Sequence, residues 1–506
     1  MTQQILNNMH NANIIHMLII ALSNLLVPML FYKYKKICNI LTLIIASLFF
    51  INIIQINLTF ITQDDYIEFY RFHNYSLALH IDNLGLIFLN LIGLLWQVAL
   101  LYIIGYLDIN KISNQGRFLF FINLSVICGI FIALSANLIT MFISYEILTL
   151  STLSLILHVR SNNTESSISH YIKMLMITSL ALFLPAIIII YCFVGHGNFI
   201  SYGFVEQYFS RNTSIVLLLM FIFGISKAAI YPVHSWLPKA MIASYPVSAL
   251  LHAIIVVKSG LFCIFKIILS IFGLQYLHSI FTEINWIIYF PIITIVYSAY
   301  MAIKTNNIKN MLAYSTINQL NMALMSAFLF TKQSMIAAIL HMLSHSFTKI
   351  TLFYGFGAIY SLFSIKTITQ LTGIAKHNKF LSISVVIAGL SLIGVPILAG
   401  FVSKFYIISA SINTENYVVI FALIFSGMCS TYYFIKVIIH MYGDTTQTSH
   451  INHLNDQYIT TESININLSK KTMPHSMYIS IFTCLVCVIF FWILLALIKP
   501  LLFGII

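Results

Sequence analysis

The sequence predicts an all-α polytopic membrane protein of about fourteen transmembrane helices. Three observations carry that expectation. The 506-residue chain is 60% hydrophobic and only 8% charged, where a soluble domain carries about 25% charged residues. Its apolar residues fall into runs of about 20, the length that crosses a bilayer as a helix. Its basic residues gather in alternate loops, as the positive-inside rule requires.

The runs lie at approximately 13–31, 38–61, 78–105, 118–136, 137–158, 171–195, 213–231, 241–269, 286–304, 310–330, 333–362, 381–410, 416–441 and 477–498. The first follows a polar, uncharged leader and precedes Lys33, Lys35 and Lys36, so it reads as a membrane helix and not a cleaved signal. The stretch 118–158 overshoots one crossing and divides at Ser135–Asn137. Asp82 opens the third run, where an acid in the first turn complements the helix dipole. The segment from Gly443 to Pro474 is polar and reads as a cytoplasmic loop. Three parts follow: residues 1–117 with spans one to three, residues 118–442 with spans four to thirteen, and residues 443–506 with the loop and last span.

Loop charges set the orientation. Lys33, Lys35 and Lys36, then Arg160 and Lys173, Lys239, Lys304 and Lys309, Lys366, Lys376 and Lys379, and Lys470 and Lys471 share one side if both termini face outward. Asp64, Asp65 and Glu68 fall on the other side, and Arg211 and Lys332 are exceptions. The net charge of +12 is thus a matter of topology; no basic patch interleaved with aromatics points to nucleic acid.

Two spans are interrupted by proline, which removes a helix hydrogen bond. The seventh ends in Ile-Tyr-Pro232, and the twelfth carries Gly394-Val-Pro396-Ile-Leu-Ala-Gly400. Paired broken helices point to the ion pathway of a transporter.

Ionisable residues inside the spans are the candidate site, because an ammonium at the helix centre costs about 2.5–3.5 kcal/mol even on the insertion scale. Glu146 lies mid-span in Ser144-Tyr-Glu146-Ile-Leu-Thr149; a carboxylate satisfied by local hydroxyls is the competing account. Lys227 precedes Pro232 and is placed to pair with Glu146, with snorkelling to the interface as the alternative. His252 and Lys258 lie roughly 9 Å apart along one helix and about 120° apart around it; a lone packed histidine is an even alternative for His252. His341, His345 and Lys349 are spaced i, i+4, i+8 and share a face over roughly 12 Å. A proton relay suits them better than a metal, which lacks a third ligand at an obvious spacing. Lys404 follows Pro396 and Gly400, near the midplane, with snorkelling as the alternative. Lys266 and Lys436 lie nearer span ends and read as interface anchors, and Trp236 as a membrane-interface aromatic.

Nothing here predicts a cofactor. The seven cysteines lie mostly in apolar runs, and the Cys484-x-x-Cys487 pair sits mid-span without further ligands. No nucleotide loop, haem motif or iron–sulfur spacing is present, so any redox chemistry belongs to other subunits.

Several long motifs resemble those of the proton-translocating, antiporter-like membrane subunits of respiratory complex I and of multisubunit cation/proton antiporters. They are Lys227-Ala-Ala-Ile-Tyr-Pro-Val-His-Ser-Trp-Leu-Pro-Lys-Ala, Pro246-Val-Ser-Ala-Leu-Leu-His, Lys309-Asn-Met-Leu-Ala-Tyr-Ser-Thr-Ile-Asn-Gln-Leu, His341-Met-Leu-Ser-His-Ser-Phe-Thr-Lys and Gly394-Val-Pro-Ile-Leu-Ala-Gly-Phe-Val-Ser-Lys404, in order over residues 80–410. The resemblance implies two inverted five-helix repeats, at spans four to eight and nine to thirteen, with spans seven and twelve broken. It implies Glu146 and Lys227 as coupling pair, Lys258 as central relay, His341, His345 and Lys349 as link, and Lys404 as exit group. The stretch Leu250-Leu-His-Ala-Ile-Ile-Val-Val-Lys258-Ser-Gly is as similar to the D-type antiporter subunits as to a complex I chain. Ala243-Ser-Tyr-Pro departs from the Ala-Pro usual there, and no long lateral helix follows the last span, against the complex I chain that has one.

The expected function is therefore proton translocation as one membrane subunit of a cation/proton antiporter or an NADH-quinone oxidoreductase. Other membrane subunits and the lipid bilayer are its partners; protons, with sodium or potassium ions as the alternatives for the coupled cation, are its cargo. Its place is a bacterial inner membrane, or the mitochondrial inner membrane. A non-conducting membrane scaffold and a self-sufficient solute transporter are the alternatives, and the line of buried charges weighs against the scaffold.

Overall fold

The computed structural model describes residues 2–59, 66–73, 75–158, 164–443 and 472–504. Arg160, Asp64, Asp65, Lys470, Lys471 and nearly all of the loop expected at 443–474 lie outside them.

The principal helices are α1 (Thr2–Leu30), α2 (Lys35–Thr59), α3 (Asn83–Ile109), α4 (Gln115–Leu134), α5 (Leu138–Ile156), α6 (Thr164–Thr178), α7 (Leu184–Val194) and α8 (Arg211–Gly224). After them come α9 (Tyr245–Ala249), α10 (Val256–Ile267), α11 (Tyr289–Lys304), α12 (Ile308–Ala327), α13 (Lys332–Phe363), α14 (Lys379–Ile393), α15 (Ala399–Asn413), α16 (Tyr417–Tyr442), α17 (His475–Ile489) and α18 (Phe491–Gly504). Among the described residues, nine helices are long and apolar enough to cross a membrane, or ten if the bent pair α17–α18 counts as one span. The chain is a mostly helical, multi-pass membrane protein.

Local chemistry sets several boundaries. α4 ends at Leu134, and Asn137 caps α5 by accepting from the Thr140 amide at 2.9 Å, so the long apolar stretch divides where its polar residues lie. α6 and α7 are joined by a π turn at Ser179–Phe183, and this span begins well before residue 171. The third span begins later than expected. Residues 75–80 form a strand paired antiparallel with Tyr66–Phe72, whose Tyr and Phe content favours a strand. Asp82 then caps α3 by accepting from the Gly85 amide at 2.9 Å. The last span is not one straight helix: α17 and α18 meet at 69°.

Helix faces sort by solvent. α1, α2 and α16 expose rows of Ile, Leu, Phe and Tyr, which suit lipid contact. α10 is buried along its whole length and α13 along nearly all of it. α13 packs against α12, α14, α15 and α17, which makes it the central post. α12 carries Ser315, Thr316, Asn318, Gln319 and Asn321, all buried, and is too polar to rank among the nine. A polar helix inside an apolar shell is where an ion path belongs.

Candidate functional site

The seventh span breaks earlier than the proline predicts. α8 stops at Gly224, Ser226–Ala228 form one 3-10 turn, and Ala229 takes a left-handed φ of 57°. Lys227 therefore lies inside the break, not on a helix leading up to it. A close crossing lies at the break. A Cβ on Gly260 of α10 would stand 2.5 Å from the Ala228 nitrogen and 2.6 Å from the Lys227 carbonyl carbon, so two backbones touch there. Trp236 holds the broken segment by donating its indole N–H to Ser226 O at 3.0 Å. It is fully buried, not an interface aromatic.

Lys227 reaches across to α5. Its backbone N–H donates to the Tyr145 hydroxyl at 3.2 Å. Its Nζ donates to Tyr145 O and to Thr149 Oγ1, both at 2.7 Å, and sits 3.0 Å from the Tyr145 ring centre. The pairing expected with Glu146 is not made as a contact: among the described residues no ion pair within 4.0 Å joins them. One step along a helix turns a side chain by about 100°, so Tyr145 and Thr149 face Lys227 while Glu146 points aside. Both Glu146 carboxylate oxygens are shut from the surface without a hydrogen-bond partner.

The eighth span is also interrupted. His252 sits in a π turn at Leu250–Ile254, and Ile255 departs from helical geometry at φ −125°, ψ −60° before α10 begins. The angular offset expected between His252 and Lys258 on one continuous helix therefore does not apply. His252 packs its ring 5.2 Å from that of Phe353, and neither ring nitrogen has a partner. Lys258 is fully buried, and its Nζ meets His345 Nδ1.

α13 keeps His341, His345 and Lys349 on its inner side but sends them to different neighbours. The His341 and His345 rings lie 6.4 Å apart and nearly parallel, at 13°. His341 Nδ1 is 2.9 Å from Ser403 Oγ, which is also 2.9 Å from Ser344 Oγ. The Nε2 atoms of both histidines have no partner. Lys349 turns to α12, donating to Leu312 O at 3.0 Å and to the Ser315 hydroxyl.

The twelfth span breaks where Gly394 and Pro396 predict it. α14 ends at Ile393, Gly394 has φ 102°, Ile397 has φ 78°, and α15 starts at Ala399. The halves approach so closely that a Cβ on Gly400 would lie 1.8 Å from Ser391 O. Lys404 folds back across the break, and its Nζ donates to Leu392 O and Ile393 O, each at 2.8 Å. These carbonyls end a helix, where free lone pairs and the helix dipole favour a cation. Ser391 further links the break to α13 through Thr348 Oγ1 at 3.0 Å.

One buried lysine was misplaced by the sequence reading. Lys266 is 1% exposed and is no interface anchor. Its Nζ donates to Ser135 O at 2.8 Å and lies 3.4 Å from both oxygens of Asp82. The helix-capping acid and the α4–α5 break are each legible; their meeting on α10 is a long-range fact. Lys309, read as a loop cation, likewise reaches inward to Ala243 O at 2.5 Å.

Among the described residues five lysines are thus buried: Lys227, Lys258, Lys266, Lys349 and Lys404. Among the described residues, only Lys266 has a carboxylate within 4.0 Å. The other four are held by carbonyls, hydroxyls and an imidazole. An ammonium in such a setting pays its desolvation without an opposing charge, so loss of its proton leaves no unpaired anion behind.

Comparison with known proteins places this arrangement. The model of the NADH:quinone oxidoreductase/Mrp antiporter transmembrane family matches residues 135–430, and the chain belongs to that family. A putative antiporter subunit, mnhA2, of Staphylococcus aureus strain JH9 is 30% identical over 402 residues, covering 74% of this chain and 49% of that protein. The strain USA300 counterpart is 29% identical over the same length and shares. The chain spans about half the length of these curated relatives. Their name carries the letter A, where the sequence motifs are also similar to the D-type group. Among solved structures, a chain of the Mrp complex from Dietzia sp. DQ12-45-1b aligns with a TM-score of 0.81 at 17% identity, covering 98% of this chain and 97% of that one. A chain of the archaeal membrane-bound sulfane sulfur reductase, a respiratory membrane complex, aligns at 0.77 and 20% identity, covering 98% of each. At such identities the likeness establishes the fold.

Proposed function

We propose that this chain is a proton-translocating membrane subunit of a multisubunit complex, either a cation/proton antiporter or a respiratory complex of the complex I type. Protons move along Glu146, Lys227, Lys258, His345, His341 and Lys404, with His252 and Lys349 flanking the centre. The carrying observation is the contact between Lys258 Nζ and His345 Nδ1, two bases buried together with no carboxylate near. Only one proton fits between two such nitrogens. When Lys258 is an ammonium, His345 must offer the Nδ1 lone pair. Transfer breaks a Lys258 N–H bond, forms an N–H bond at Nδ1, and leaves a neutral amine beside an imidazolium. The imidazolium then sheds its other proton from Nε2, which has no protein partner to hold it. A water between the stacked rings would pass it to His341, whose Nδ1 meets Ser403, the residue before Lys404 in the chain.

Fourteen crossings fit this function: the nine long apolar helices together with α1, α8, α12, the α14–α15 pair and α17. The two breaks, each with a lysine, support inverted repeats built around spans seven and twelve. Both termini face outward, in a bacterial or mitochondrial inner membrane, beside other membrane subunits and with sodium or potassium as the coupled cation of an antiporter. Glu146→Gln tests the reading. The amide keeps the shape of the side chain and removes the charge near Lys227, so the assembled complex is expected to lose proton uptake in vesicles. Wild-type uptake by an assembled variant would reject the path.

A further inference from the structure

We propose that the crevice where α1 and α2 meet the start of α4 binds the headgroup of an anionic phospholipid from the inner leaflet. The site is a cavity of about 770 Å³, within the range of about 300–1,000 Å³ typical of small-ligand pockets. Lys35, Asn39, Gln115 and Arg117 supply its polar wall, and Met29 and Leu119 an apolar one. Such a wall suits an amphiphile: a phosphodiester on the basic side, the start of an acyl chain on the other.

Charge sets the class of lipid. Lys33 and Lys36 flank lining residues Tyr32 and Lys35, and Lys111 precedes lining residue Ile112. Lys35 is already paired with Asp108. Among the described residues, no carboxylate lies within 4.0 Å of Lys33, Lys36, Lys111 or Arg117. Arg117 thus lines an open cavity at the end of two lipid-facing helices without a carboxylate partner, and three further cations stand next to lining residues in the chain. General positive-inside bias explains cations on this side of the membrane but not a cavity at their centre. Basic pockets between helices on the cytoplasmic side hold anionic headgroups, each cation contributing about 1 kcal/mol near such a surface. Cytoplasmic placement of the crevice rests on the topology proposed above; the charge and the cavity do not.

The test uses the whole complex in nanodiscs of phosphatidylcholine with a minority of photoactivatable phosphatidylglycerol. After illumination, cross-linked peptides from the ends of α1 and α4 are counted by mass spectrometry. Cross-linking is expected with phosphatidylglycerol and not with photoactivatable phosphatidylcholine, and Arg117→Gln combined with Lys111→Gln is expected to lower it about thirtyfold. Both residues are exposed, so folding survives their replacement, and Lys35 with its partner is left alone. Equal labelling by the two lipids would overturn the proposal. So would competition by inorganic phosphate, which marks a free-anion site, or absence of labelling because a neighbouring subunit fills the crevice. None of these readouts depends on proton transport, so failure here leaves the proposed function standing, and the reverse.

Discussion

The two broken spans hold their lysines in different ways. In span seven, Lys227 sits within the break and reaches another helix, to Tyr145 O and Thr149 Oγ1 on α5. In span twelve, Lys404 sits in the helix after the break and reaches back to its own span, to Leu392 O and Ile393 O. The first lysine is tied to the helix that carries Glu146; among the described residues the second has no carboxylate within 4.0 Å. Under the proposed function, the difference would give the halves different jobs. In that proposal Lys227, held by α5, would answer changes on the helix that carries Glu146. Lys404 rests on the end of α14, one residue after Ser403, which meets His341.

Substitutions can break or sharpen that contrast. The largest expected effect is at Lys404. Its replacement by alanine removes the end of the line, and transport by the assembled complex is expected to stop nearly completely at any outer pH. Retained transport would mean that the path leaves the protein before span twelve. Thr149→Val is expected to act more mildly. It removes one acceptor from Lys227, a loss of about 1 kcal/mol that corresponds to a several-fold slowing of proton uptake. An unchanged rate would show that α5 does not control Lys227 through this contact. Smallest in transport, but visible in stability, is Gly260→Ala. The added methyl collides with the backbone of Lys227 and Ala228 and should cost about 1–3 kcal/mol, read as a lower melting temperature of the purified complex. A variant as stable as wild type would mean that the crossing yields easily, and that Lys227 is not fixed in place by it.

How much of this was legible in the sequence depends on how local each feature is. The break of span twelve was legible because Gly394, Pro396 and Gly400 impose it themselves. So was the shared face of His341, His345 and Lys349, which needs only helical spacing. The break of span seven lies earlier than expected: Pro232 is the local signal, while the break sits at the contact with Gly260 some thirty positions on. The burial of Lys266 was missed for the same reason. Near the end of an apolar run it looks free to snorkel, and only the arrival of Asp82 and Ser135 shows that it is held. The interruption at Ile255 left no proline or glycine to mark it. The hairpin at 66–80 was absorbed into an apolar run because strand and helix share their apolar residues over short lengths.

The central claim is that protons pass between Lys258 and His345 in the middle of the protein. Its most direct test is proton uptake by vesicles carrying the whole complex with Lys258→Ala, with assembly confirmed on a native gel. The expected result is an assembled complex that takes up almost no protons, while His345→Ala only slows uptake because water fills the space left by the ring. An assembled Lys258→Ala complex that takes up protons at the wild-type rate would contradict the claim and make a non-conducting scaffold the better description of this chain.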